Sequence, residues 1–259
     1  MNGTPPALRA YQYCWLAYRR TWRGSVTTSF LFPVLYLAAM GVGLGTLINS
    51  NSHGNIGGVP YLWFLAPGLL ASTALQIGAN ESTFPIMAAI KWNKTYVAML
   101  ASPLEVNDVL YGHLAWIATR VAMASAVFLA VMAAFGTVHS WLALLAFPAA
   151  LLTGMACAAP VVAFSATRET ERSFILIYRF GVIPLFLFSG TFFPISQLPG
   201  WLQVVARCTP LYHGVALCRG LVLGIPGGWS TVVDVAYLAV LLAAGVLAAR
   251  ITYKRTLVQ

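Results

Sequence analysis

From Gly24 to Asn80, and again from Val121 to Thr167, the chain carries no Asp, Glu, Lys or Arg. A soluble domain needs charged and polar groups facing water, and stretches this long without them would have to be buried whole. Each is instead long enough for two apolar helices of about 20 residues, the length that crosses a bilayer. The composition agrees, with 59% of the 259 residues hydrophobic and 8% charged and a mean hydropathy of +0.79. The expectation is an all-α membrane protein forming one transmembrane domain over 1–259.

Apolar runs place six spans near 29–48, 61–78, 117–135, 141–164, 174–189 and 231–249. Ahead of the first, Leu8, Tyr11, Trp15, Tyr18 and Trp22 recur every three or four residues, with Arg9, Arg20 and Arg23 beside them. This predicts an amphipathic helix over 1–28 that lies in the membrane interface, or one that caps the bundle in water. Gly41 and Gly45 form a G-x-x-x-G pair for close helix packing, between subunits or within the bundle. The polar stretch 81–115 reads as a loop. Pro194, Pro199, Pro210 and Pro226 break up 190–230, which is nonetheless too apolar for a solvated loop. Two short helices dipping into the membrane as a re-entrant hairpin fit both facts.

With the N-terminus inside, 13 of the 15 Lys and Arg residues fall on cytoplasmic segments or span ends, and only Arg207 and Arg219 lie outside. The positive-inside rule then puts both termini in the cytoplasm. The net charge of +9 is scattered at the ends of apolar runs, which argues against nucleic acid. The N-terminal segment lacks the pattern of a cleaved signal or an organellar address, so a bacterial inner membrane is expected.

Sites for chemistry are sparse. His53, His113, His139 and His213 show no metal-ligand spacing, there is no G-x-S-x-G elbow, and no phosphate-binding G-x-x-x-x-G-K-[ST] loop occurs. The chain is expected to bind no cofactor and not to be an enzyme. Ionisable groups are nearly absent from the spans, against a proton-coupled carrier, so the energy for any transport would come from another polypeptide. Cys208 and Cys218 share the outer side, leaving a disulfide or two free thiols open.

Two stretches carry a family resemblance. The first, 81–112, has Glu81 after the second span, a short helix around Lys94 to Met99, the Ser102-Pro103-Leu104 step, and Asp108-Val109 before Gly112. The second, 189–224, has Ser189-Gly190, Phe193-Pro194, Leu198-Pro199, Pro210-Leu211 with His213, and Arg219-Gly220 before Gly224. Together they resemble the type-2 ABC exporter permeases, most closely those for lipo-oligosaccharide nodulation factors and next those for drugs and polysaccharides.

The resemblance implies a second copy of the chain as partner and two separate ABC ATPase subunits, which carry ATP and Mg. It implies that 81–115 couples to the ATPase, with Glu81, Lys91 and Lys94 as polar contacts and Tyr96, Met99 and Leu100 filling a groove on the partner; the alternative is a solvated interfacial helix. The hairpin would form an outer gate or pathway involving Phe192, Phe193, Pro194, Arg207, His213 and Arg219. Arg207 and Arg219 either meet anionic headgroups or cap helix ends, and Tyr36, Trp63 and Phe64 either line an amphipathic path or pack. The cargo implied is a lipid-linked glycan, a lipo-oligosaccharide or an amphiphilic drug. A transport-inactive scaffold of the same fold and a channel are the competing readings.

Overall fold

The computed structural model describes residues 5–44 and 59–257, and the side chains of 22–30, 32, 33, 41, 42 and 44 lie outside that description. Every regular element among the described residues is helical, as expected where backbone N–H and C=O groups must be satisfied without water. In chain order the α-helices are α1 (Pro6–Tyr36), α2 (Tyr61–Glu81), α3 (Phe84–Met87), α4 (Thr95–Leu100), α5 (Val106–Ala134), α6 (Ala146–Ala166), α7 (Arg172–Ile177), α8 (Ile183–Phe188), α9 (Gly200–Arg207), α10 (Pro210–Leu223) and α11 (Trp229–Leu257). A 3-10 turn, Trp141–Leu145, leads into α6. Wider π turns continue α1 over Leu37–Leu44, follow α3 over Ala88–Trp92, and join α7 to α8 over Tyr178–Val182. The last precedes Pro184, which has no N–H to offer the Phe180 carbonyl one turn back.

Among the described residues, four stretches are long and apolar enough to cross a membrane: Tyr61–Trp92, Val106–Ala134, Trp141–Ala166 and Trp229–Leu257. They contain the second, third, fourth and sixth expected spans. The fifth corresponds to α7, the π turn and α8 in succession. Two expectations change. No break separates an interfacial helix over 1–28 from a span beginning near 29, because the backbone stays helical from Pro6 through Leu44. At the boundary itself nothing stops a helix strongly: Gly24 costs only about 1 kcal/mol, and Pro33, the stronger interruption, falls inside the expected span rather than ahead of it. The third helix also starts at Val106 rather than near 117. The Asp108 carboxylate accepts the Glu105 N–H at 2.9 Å, closing the new N-terminus.

The 190–230 region forms α9 and α10, the latter started by Thr209, whose hydroxyl accepts the Tyr212 N–H, and ended by Gly224 in the left-handed conformation at φ 72°. The Cys208–Cys218 disulfide is absent: all four cysteines are free, Cys218 is buried with its thiol toward the Ala146 carbonyl, and Cys208 is exposed. Gly45 lies outside the described residues, as do the surroundings of Gly41, so that packing pair does too.

α2 is apolar on every side and is enclosed by α5, α6 and α10, the arrangement expected of a helix at the centre of a bundle. Its closest approach to α6 is glycine on glycine. A β-carbon on Gly78 would stand 2.6 Å from the Gly154 carbonyl oxygen, and one on Gly154 would stand 2.8 Å from the Ala74 carbonyl oxygen. Without a hydrophobic drive between helices in lipid, such backbone proximity supplies the dispersion contacts that hold them together. α11 closes the bundle against α6, where Gly245 meets Pro160, and shows Val240, Leu247 and Ile251 outward.

Gly154→Leu should destabilise the detergent-solubilised protein by about 1–3 kcal/mol or more, the usual cost of overpacking. Gly200→Ala, where a β-carbon meets nothing within 4 Å, should change the melting temperature little.

Candidate functional site

Two polar clusters sit at opposite ends of α2, whose 21 residues span about 30 Å. The first is built on Glu81. As the last residue of α2 its carboxylate stands at the negative end of the helix dipole, where an anion needs compensation. That comes from one face of α5. The Arg120 Nε–H donates to Glu81 Oε1 at 2.9 Å and the Trp116 indole N–H to Oε2 at 3.3 Å. One turn earlier His113 Nε2 lies 3.4 Å from the Glu81 carbonyl. Both members of the Glu81–Arg120 pair keep only 15% of their side-chain surface exposed. Removing one partner therefore leaves a largely desolvated charge.

Helix α1 lies across the same place. Tyr11, Trp15 and Tyr18 all pack on Trp116, with ring centroids 5.3 to 6.5 Å apart, and the Arg120 guanidinium sits 4.7 Å above the Tyr18 ring. Gly112 permits the contact, since a β-carbon there would be 2.6 Å from that of Ala10. The aromatic stripe read as an interfacial face is in part a packing face against α5.

From the other side α4 inserts Tyr96. Its hydroxyl lies 2.9 Å from His113 Nδ1, and its ring centroid is 6.0 Å from that of Tyr253 on α11. Tyr96 O–H donating to Nδ1 leaves the His113 Nε2–H for the Glu81 carbonyl, the tautomer that satisfies both contacts. Burial, and next the neighbouring Tyr253, holds the Tyr96 phenol well above its ordinary pKa, so it stays a neutral donor. Only 3% of Tyr96 is exposed. It does not reach outward to a partner's groove, because its ring and hydroxyl are both engaged within the chain. Met99 and Leu100 are half-buried against the core. Glu81 likewise makes its contacts internally. What the loop presents outward is Lys91, Trp92 at 55% exposure, Lys94 and Val97 at 53%. Lys94 holds the turn before α4 in the left-handed region, φ 49°, a conformation that costs a side-chain-bearing residue roughly 1 kcal/mol. A cleft of about 440 Å³ opens between α1 and this loop, with Cys14, Asn93, Thr95 and Arg120 in its wall.

The second cluster gathers around Arg219 on α10. Its Nε–H donates to the Phe64 carbonyl at 3.1 Å and its Nη2 to the Gly190 carbonyl at 2.8 Å, while the guanidinium carbon stands 3.7 Å over the Phe64 ring. Beside it His213 Nδ1 meets Asp234 Oδ1 of α11 at 2.7 Å, and the His213 ring stacks on Tyr237 at 4.1 Å. Phe192 packs edge-on to Phe186 at 4.9 Å and near Tyr36 at 6.4 Å. Phe193 and Pro194 are half-buried, and Arg207 is exposed at the end of α9. Phe192, Phe193, Pro194, His213 and Arg219 thus belong to one end of the bundle, whereas Arg207 takes no part in the cluster.

His113, Trp116, Arg120, Asp234 and Tyr237 were not among the expected site residues. The spacing of His113, Trp116 and Arg120, three and then four residues apart on one helix, was a readable signal. The Asp234–His213 pair, between residues on separate helices, left no such trace.

Fold and clusters define a polytopic helical membrane protein with a polar hub at each end of its central helix. The model of the family described as ABC-2 type transporter matches residues 9–223, and the chain belongs to that family. It is 34% identical over 213 residues to Nodulation protein J of Rhizobium leguminosarum bv. trifolii, covering 82% of this chain and 79% of that protein. Nodulation protein J of Rhizobium meliloti is 32% identical over the same shares of both chains. A daunorubicin resistance ABC transporter permease of Streptomyces coeruleorubidus is 30% identical over 116 residues, 42% of this chain and 39% of that one.

Glu81→Gln should lower stability by about 2–4 kcal/mol, between the values for a charged hydrogen bond and a fully buried pair. A double-mutant cycle with Arg120→Met should show strong coupling, since the second substitution removes the charge stranded by the first.

Proposed function

We propose that this chain is the transmembrane subunit of an ATP-binding-cassette exporter in a bacterial plasma membrane. Two copies form the pathway between them, and each docks one separate ATPase subunit carrying ATP and Mg. Six spans, cytoplasmic termini and a re-entrant α9–α10 hairpin complete this reading. The Lys and Arg bias supports the orientation, which puts the Glu81 hub inside and the Arg219 cluster outside.

One observation carries the proposal beyond family membership. The segment that would meet the motor is tied to the bundle: Tyr96 of α4 reaches His113 of α5 and Tyr253 of α11, and Glu81 joins α2 to α5 under the aromatic contacts of α1. A push on Lys91, Trp92, Lys94 or Val97 therefore moves several helices together, which a solvated loop would not do. The exposed apolar Trp92 and Val97, with Lys91 and Lys94 beside them, give an ATPase groove an anchor with a charged rim. The cargo we assign is an amphiphile: a lipo-oligosaccharide or lipid-linked glycan, or a drug. The nodulation and drug-resistance relatives support it.

Purification from native membranes should recover a P-loop ATPase with the wild-type chain. Val97→Asp and Lys94→Glu should reduce its recovery and the stimulated ATPase rate at least several-fold without lowering the melting temperature. Tyr96→Phe should do the reverse, costing about 1 kcal/mol of stability while retaining the ATPase. Failure of any ATPase to co-purify with an intact dimer would favour the scaffold reading.

A further inference from the structure

The Arg219 cluster is more than a structural clasp. A guanidinium has five N–H donors, and Arg219 uses two, on the carbonyls of Phe64 and Gly190. No carboxylate lies within ion-pair distance of it among the described residues. The Arg120 guanidinium at the other end of α2 has Glu81 at 2.9 Å; this one is held by neutral carbonyls and one aromatic face. A cationic group withdrawn from water without a counter-charge is costly, and an anion arriving from outside the chain would lower that cost.

The space for one is present. Arg219 lines a cleft of about 470 Å³ between α10, the start of α11 and the turn after α8. Its wall adds the hydroxyl-bearing residues Tyr212, Ser196 and Thr231 and the apolar Leu223 and Ile225. The carboxylate in that wall, Asp234, is engaged by His213 at 2.7 Å. A cation held in a fixed fork by two carbonyls, with hydroxyl and apolar groups around it, matches the phosphate or carboxylate of an amphiphile whose hydrocarbon stays in the bilayer.

We propose that the Arg219 cleft is a binding site for an anionic headgroup, a phosphate or carboxylate, with Arg219 as its principal ligand. The site does not depend on the exporter reading, since it is defined within one chain and needs no motor. Two sources share this chemistry, a membrane phospholipid and a free anion, and the probes below separate them.

The test titrates the detergent-solubilised full chain with phosphatidylglycerol, with zwitterionic phosphatidylcholine and with inorganic phosphate, following bound lipid by native mass spectrometry. Phosphatidylglycerol should bind about tenfold more tightly than phosphatidylcholine. Displacement by millimolar phosphate marks a general anion site, and resistance to it marks a site for the lipid headgroup. Ala216 lies in the cleft wall one turn before Arg219, so Ala216→Glu brings a carboxylate to the guanidinium from within. This substitution should abolish the preference while leaving the melting temperature unchanged or raised. If Ala216→Glu does not fold, Ser196→Asp on the exposed rim serves the same purpose. Equal binding of the two lipids with no effect of phosphate, or an undiminished preference in the folded carboxylate variant, would overturn the proposal.

Discussion

The Glu81 carboxylate is the point on which one end of the molecule depends. It terminates the central helix where the helix dipole opposes it, and is tolerated because Arg120 and Trp116 of α5 donate to its two oxygens. That requirement fixes α5 against α2 in rotation and in height. α1 then packs on the same Trp116 and Arg120, and the segment from Lys91 to Leu100 is located through Tyr96 and His113. One charged pair thus sets the relative positions of elements from the first, second and third apolar regions.

Away from the ends, the bundle is held by proximity. Glycine on glycine between α2 and α6, and glycine on proline between α11 and α6, bring backbones close enough for dispersion to act over a large surface. Pro160 within α6 lacks an N–H, and Gly245 packs against its ring. The arrangement therefore divides its labour: small residues supply attraction in the apolar middle, and directional polar contacts at each end choose one register among those that close packing allows.

Much of this was legible from charge placement alone. The uncharged runs located α2, α5 and α6, and the two proline-punctuated helices in 190–230 were expected from composition. The family resemblance was carried by Glu81, the Ser102-Pro103-Leu104 step and the Pro210 to Gly224 stretch, which fall at helix ends and starts. Less legible was which way a residue would face. Tyr96 reads as a contact residue because it sits on a short helix in a polar loop, yet its environment is set by His113 and Tyr253, the latter 157 positions further along the chain. Helix starts also misled. Glu105 and Asp108 look like loop charges, but they close an N-terminus that carries α5 more than two turns beyond its apolar core.

The two hubs differ in how far apart their members lie along the chain: Glu81 meets Arg120 across 39 positions, while Phe64 meets Arg219 across 155. A ribosome adding about 5–20 residues per second delivers the first partner within roughly 2–8 s and the second only after about 8–30 s. The nascent bundle therefore passes through a stage at which its Glu81 end is already clasped and the far end of α2 still awaits α10. Of these two clasps the later one joins the start of α2 to the turn after α8 through Arg219, so a chain truncated before Arg219 would retain its charged hub but lack this clasp at the opposite end.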